Sequence, residues 1–183
     1  VGFSLQHELN YSNVLNMLDL AGIPVLARER GPEMPLVIAG GSCTYNPEPM
    51  AAFFDLFVIG EGEEVLIELL ECVRDWKSSA GSGSAKARHD LLLRLANIPG
   101  IYVPSLYRCL YNDDGTVSTV EPLMTGVPTR VRKRIVPRLF PVPTRPVVPT
   151  MRVVHDRGVV EIQRGCGRGC RFCQAGMIYR PVR

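Results

Sequence analysis

Leu36-Val-Ile-Ala-Gly-Gly41 and Leu56-Phe-Val-Ile-Gly60 are two apolar runs of strand length, and each ends in glycine. Helical patterns lie between and after them, the last from Glu63 to Trp76, where Leu66, Leu69, Leu70 and Val73 recur on one face. Upstream, Val1-Gly-Phe-Ser-Leu5 is a third buried-strand candidate. Tyr11, Val14, Leu15 and Leu18 then recur at helical spacing up to a stop at Gly22. Strand and helix in alternation predict an α/β fold, namely a parallel, doubly wound, Rossmann-like sheet with helices on both faces. The glycines at the strand ends, Gly40, Gly41 and Gly60, would then line its ligand edge. The expected domain, partial in extent, covers residues 1–77.

Beyond Trp76 the composition changes. Ser78-Ser-Ala-Gly-Ser-Gly-Ser-Ala-Lys86 has little that could be buried and reads as a flexible insertion. A short amphipathic helix is expected from Leu91 to Ile98. Ile101 to Val120 then reads as strands around the turn Asn112-Asp-Asp-Gly115, an aspartate-glycine pair suited to a hairpin. These make a second segment, residues 78–126. From Pro122 to Pro149 prolines recur with basic residues between them, so residues 127–150 are expected to form an extended linker.

Charge divides at this linker. The net charge of +3 combines 21 basic with 18 acidic residues, and residues 127–183 hold 13 of the former and 2 of the latter. One reading is an electrostatic footprint for RNA. The favoured one is local compensation within the protein, because no interleaved aromatics or nucleic-acid-binding fold accompanies the arginines.

The strongest chemical signal lies after the linker. In Glu161-Ile-Gln-Arg-Gly-Cys166-Gly-Arg-Gly-Cys170-Arg-Phe-Cys173-Gln-Ala-Gly, three thiols fall at x3 and x2 spacing, separated by glycines that let the backbone curl around a bulky guest. Three thiolates at this spacing can hold three corners of a four-iron four-sulfur cluster and leave the fourth iron open. A zinc site would need a fourth ligand from His155, Cys43, Cys72 or Cys109. A disulfide framework is disfavoured by the uneven spread of the 6 cysteines. Val159-Val-Glu-Ile162 is predicted to be a strand leading into the loop, and Gln174 to Tyr179 to begin a helix. Arg164, Arg168 and Arg171 would balance the negative charge of a thiolate-bound cluster or face solvent.

Cys166-x3-Cys170-x2-Cys173, with Phe172 before the last cysteine, resembles the signature of the radical S-adenosylmethionine (SAM) superfamily. The longer string Arg164 to Arg183, with Val154-His-Asp-Arg157, Asn46-Pro-Glu-Pro49 and Phe57-Val-Ile-Gly-Glu-Gly-Glu63, resembles bacterial radical SAM proteins that carry a cobalamin-binding-like N-terminal domain. The resemblance implies a 4Fe-4S cluster on Cys166, Cys170 and Cys173, with SAM bound at the open iron and Phe172 near its adenine. It further implies reductive cleavage of SAM to a 5′-deoxyadenosyl radical, an electron donor of flavodoxin or ferredoxin type, and residues 151–183 as the first βα unit of a radical SAM barrel. Cobalamin-binding domains place a serine after one strand and a glycine pair after the next. Ser4, Gly40 and Gly41, with Gly60 and Glu61, would fill that edge. Against this, Gly40-Gly41 serves equally as a tight turn, and the glutamates of Gly60-Glu-Gly-Glu63 as favourable charges at a helix N-terminus. The alternatives are a cobalamin-dependent radical SAM methyltransferase and a non-enzymatic iron–sulfur or zinc module. His7 and His89 are isolated, and Cys43, Cys72 and Cys109 read as small buried residues.

With 46% hydrophobic and 21% charged residues, the composition is that of a globular protein. No apolar run approaches the roughly 20 residues that span a bilayer. Three clustered thiols and no visible targeting segment point to a reducing cytoplasm. The chain begins at Val1 and stops ten residues after Cys173, so it is expected to be a fragment of a longer enzyme, inactive alone.

Overall fold

A computed structural model describes all of the chain except residues 80–82, 142–144, 146–149, 153, 155 and 156. It divides into two compact units, Val1–Ile135 and Val136–Arg183. His155, considered above as a ligand, lies outside the described residues, as does part of the proline-rich segment.

The first unit is built on a four-stranded sheet of β1 (Gly2–Ser4), β2 (Ile38–Gly40), β3 (Leu56–Val58) and β4 (Ile101–Tyr102), in that spatial order. The pairs β1–β2 and β2–β3 are parallel, in the register Ser4 opposite Gly40 and Ala39 opposite Phe57. Helix α1 (Tyr11–Leu20) follows β1, while two 3-10 turns, Ser42–Tyr45 and Glu48–Met50, make the connection from β2 to β3. The α/β expectation therefore holds, with that link taken by short turns rather than by an α-helix.

The sheet departs from the all-parallel expectation at β4, which pairs antiparallel to β3. The cause is the parity of the connection. Two helices, α2 (Gly62–Ser78) and α3 (Ala85–Ala96), separate β3 from β4. A single helix returns the chain to the starting end of the sheet, whereas two packed side by side bring it back to the end it left. Helix α3 starts before the expected Leu91, inside the serine-glycine stretch, because the Ser84 hydroxyl accepts a hydrogen bond from the Ala87 amide at 3.1 Å and caps it. The Trp76 indole donates to the Ala87 carbonyl at 2.9 Å and ties the two helices together.

Strand alternation sorts side chains onto two faces. Leu56, Val58 and Ile101 pack with Val65 and Leu69 of α2 and Leu91, Leu92 and Leu95 of α3. Ala39, Phe57 and Tyr102 pack on the other side with Val14 and Leu18 of α1 and with Met50 and Phe54. Both faces are thus covered, as a doubly wound sheet requires. The predicted apolar stripe of α2 needs correcting. Val65 and Leu69 are its buried members, whereas Leu66 and Leu70 are exposed, because the stripe touching the sheet is rotated from the one that counting leucines suggests.

Beyond the sheet, β5 (Tyr107–Tyr111) and β6 (Val117–Pro122) form the expected hairpin, with Gly115 at φ +81° in its turn. Ile101 and Tyr102 belong to the main sheet and not to that hairpin. The chain from Val127 to Ile135 is part of the first unit, with Val127 in the core beside Leu106.

In the second unit the one helix among the described residues is α4 (Ala175–Ile178). The strand expected at Val159–Ile162 is absent, and Val159, Val160 and Ile162 are exposed. A strand persists through its ladder and through the cover of its apolar face, and among the described residues this segment has neither. Among those residues, too, no helix is long and apolar enough to cross a membrane.

Candidate functional site

The parallel strands place Ser4 and Gly40 side by side at their C-terminal ends. With Gly2, Phe3, Ile38, Ala39, Gly41, Val58, Gly62 and Leu66 they line a cavity of about 320 Å³. The two glycines differ in their surroundings. A side chain on Gly40 would meet nothing within 4 Å. One on Gly41, which sits at φ +102°, would run into the Leu5 backbone, with the carbonyl oxygen 2.7 Å from the Cβ position. The Leu5 amide donates to the Gly40 carbonyl at 2.7 Å and the Leu5 carbonyl accepts from the Cys43 amide at 3.0 Å. Gly41 therefore lets the chain leaving β1 lie close against the end of β2, and Gly40 opens to the cavity. The Ser4 hydroxyl accepts from the Gln6 amide at 3.0 Å.

Gly60 and Glu61, at the end of β3, meet protein backbone. The Glu61 amide donates to the Arg134 carbonyl at 3.0 Å, and the Arg134 amide donates to the Ile59 carbonyl at 2.8 Å. The Arg134 guanidinium reaches Glu64 at 2.9 Å and also bonds Glu68, both on the first turns of α2. These hydrogen bonds hold Arg134 charged and raise its pKa above the ordinary value. The sequence showed Arg134 as one charge among many in a basic linker; two glycines and two glutamates at i, i+4 were the signals that it had partners.

The opposite end of the sheet carries a buried ionic group that periodicity did not reveal. Asp55, at the start of β3, accepts from Arg30 at 3.1 Å, from Arg88 of α3 at 3.0 Å and from the Val37 amide at 2.7 Å. The guanidiniums spend their other donors on the carbonyls of Pro24, Val25, Phe53, Met34 and Pro35. Burial lowers the Arg30 pKa from its ordinary value, and Asp55 opposes that shift. Every partner is fixed protein, so this group staples loops to the sheet.

The cysteine loop is framed by its own ends. Arg164 and Arg183 exchange two backbone hydrogen bonds, both 2.9 Å. Gly165, at φ +89°, lies against the carbonyls of Tyr179 and Pro181, where no side chain would fit. The Arg180 guanidinium donates to the carbonyls of Cys166 at 3.3 Å and Arg168 at 2.9 Å, holding the loop from inside its curve. Sequence reasoning passed over Arg180. Arg164 binds Glu161 at 2.8 Å and holds that carboxyl below the usual range.

All three thiols are free, with Cys170 exposed and Cys166 and Cys173 half-buried. The Arg168 amide points at the Cys166 sulfur, 3.5 Å away. Among the described residues no three His, Cys, Asp or Glu side chains are drawn together as a metal-holding group. In short cysteine loops, gathering of the sulfurs is coupled to metal binding. Phe172 is 92% exposed. Of the cysteines outside the loop, Cys43 is buried as expected, whereas Cys72 and Cys109 are only half-buried.

Comparison with known proteins follows this division. A family model described as the N-terminal part of radical SAM proteins matches residues 1–104, which hold the whole four-stranded sheet and stop short of the cysteine loop. An uncharacterized protein of Methanocaldococcus jannaschii is 27% identical over 187 aligned residues, which cover 98% of this chain and 31% of the relative. The chain thus spans about a third of that relative's length. No solved structure matches.

Proposed function

The chain belongs to the radical SAM proteins, by the match of their N-terminal domain to residues 1–104, and from that premise we propose that it is part of an enzyme that cleaves SAM reductively. The observation that carries the proposal is the framed cysteine loop, with its three free thiols at x3 and x2 spacing. The donor set suits a 4Fe-4S cluster better than zinc. Three sulfurs from one short loop leave one iron without a protein ligand, whereas structural zinc takes four protein ligands. Held by Cys166, Cys170 and Cys173, such a cluster would supply, with an electron from a flavodoxin- or ferredoxin-type donor, the reducing power for cleavage of SAM.

The chain's own residues do the positioning. Cys166, Cys170 and Cys173 hold the metal. The Arg168 amide donates toward the Cys166 sulfur and orients it. Arg180 and the Arg164–Arg183 bonds keep the loop curled. Phe172 offers an uncovered aromatic face to the adenine.

A second reading concerns the first unit. The Ser4–Gly40 cavity, with room at Gly40 for close backbone approach, supports binding of part of a large cofactor such as cobalamin. Cobalamin uptake by the full-length protein, with loss on Gly40→Val, is the expected result, and no uptake would remove this reading without touching the first.

The central test is anaerobic reconstitution of the full-length protein with iron and sulfide, followed by electron paramagnetic resonance of the reduced form. A four-iron signal that changes on adding SAM, and is lost when the three cysteines become alanine, is expected. Bound zinc, or a cluster indifferent to SAM, would refute the proposal.

A further inference from the structure

We infer that residues 131–135 form a clasped strap that closes the C-terminal end of β3 and opens as a unit while the sheet stays folded. The inference stands whether or not the cysteine loop binds a cluster. Strands β3 and β4 are paired at Val58–Ile101, and the Ile59 amide still donates to the Gly100 carbonyl at 2.7 Å. There the two chains separate, and Arg134 enters as a single parallel bridge to Gly60.

Two glycines make the entry possible. Gly60 and Gly100 have φ of +108° and +94°. A Cβ on Gly60 would lie 2.6 Å from the Arg134 nitrogen, and one on Gly100 would lie 3.0 Å from the Arg134 Cβ. Both conformations are costly for other residues, and both serve the same intruding backbone. Two main-chain hydrogen bonds of Arg134, to the Ile59 carbonyl and from the Glu61 amide, hold the strap. The Arg134 fork on Glu64 and Glu68 adds to this hold, beside Val131 packed against the core and the Lys133 ammonium over the Tyr45 ring. Those carboxylates are each about two-fifths exposed, so the clasp stands within reach of water and salt.

Opening the strap frees the Ile59 carbonyl and the Glu61 amide, the latter preceding Gly62, which lines the Ser4–Gly40 cavity. The strap therefore caps polar backbone at the end of β3 and is not merely the beginning of the linker.

Limited trypsin digestion of the full-length protein, read by mass spectrometry, tests this together with hydrogen exchange. Glu64→Gln/Glu68→Gln preserves size and leaves the cleavage sites at Lys133 and Arg134 intact. Cleavage there is expected to rise about fivefold or more, as loss of two partly screened ion pairs implies. Exchange at the Glu61 and Arg134 amides should rise by the same factor, with that at Phe57 and Val58 unchanged. Raising salt from about 0.05 to about 0.5 M should accelerate the wild type and leave the variant as it was. Unchanged cleavage would overturn the inference, as would faster exchange spread equally over β3, because opening would then be unfolding of the sheet.

Discussion

In the unit Val1–Ile135 the large apolar side chains are sealed on both faces of a sheet, with Leu5, Leu18, Phe54, Leu56, Phe57, Leu91, Leu95 and Ile101 essentially inaccessible. In the unit Val136–Arg183, Val154, Val159, Ile162 and Phe172 stand in solvent, and the buried hydrophobic residues among those described are Val136 and Ile178. The first unit is held by apolar burial, and its polar groups are staples. The second is held by backbone bonds, Gly165 and Arg180 around three uncommitted thiols. A unit sealed by apolar burial is thus joined to one held by a few backbone and guanidinium hydrogen bonds.

The largest expected effect tests that separation directly. Replacing Cys166, Cys170 and Cys173 together by alanine should abolish iron binding and raise hydrogen exchange throughout the cysteine loop. Amides of Leu56–Val58 and α2 should exchange as before. If core protection falls as well, the two units are coupled energetically and the contrast fails.

The next effect lies within the first unit. Asp55→Ala leaves the Arg30 and Arg88 guanidiniums facing each other in a buried site with their shared carboxylate gone. A loss of about 3–5 kcal/mol is expected, read from urea denaturation, with the iron content of the reconstituted cysteine loop unchanged.

A smaller effect separates the two members of the glycine pair. Gly41→Ala forces a side chain into the Leu5 backbone at a positive φ and should cost about 1–3 kcal/mol. Gly40→Ala meets open space and should cost a few tenths of that range. Equal costs would mean that the close approach of Leu5 does not set the need for glycine.

This contrast shows why the sequence was legible in some places and opaque in others. The three parallel strands could be read because each is a short apolar run, two of them stopped by glycine, a signal contained in adjacent residues. Antiparallel β4 could not, because its direction depends on counting helices, and Ser84, which begins α3, sat inside a stretch that looked merely flexible. Gly40-Gly41 was seen as one feature; only the path of Leu5 divides it into a structural half and an open half. The cysteine loop was visible through residue identity and spacing. Arg180, Arg134 and Asp55 escaped notice because a charged residue reveals its partner only in three dimensions. Val159–Ile162 shows the converse, since its β-branched residues mark a strand by propensity while among the described residues it is exposed and pairs with no strand.

The smallest effect is a pH dependence confined to the first unit. Tyr102, buried on the α1 side of the sheet, donates its hydroxyl proton to Glu48. Burial first, and then that bond to a carboxylate, raise its pKa far above the ordinary value, since ionisation would place a phenolate in the core beside a negative charge. The unfolded chain ionises this phenol near pH 10. The contribution of the neutral phenol is therefore complete below about pH 10 and is lost as pH rises toward the folded value, because only the unfolded state releases the proton in that window. Tyr102→Phe should accordingly be less stable than wild type by about 1 kcal/mol near pH 8, and the gap should narrow as pH passes about 10. Urea midpoints measured between about pH 8 and pH 11 test this, since a gap that stays constant means the phenol titrates alike in both states and burial does not govern it.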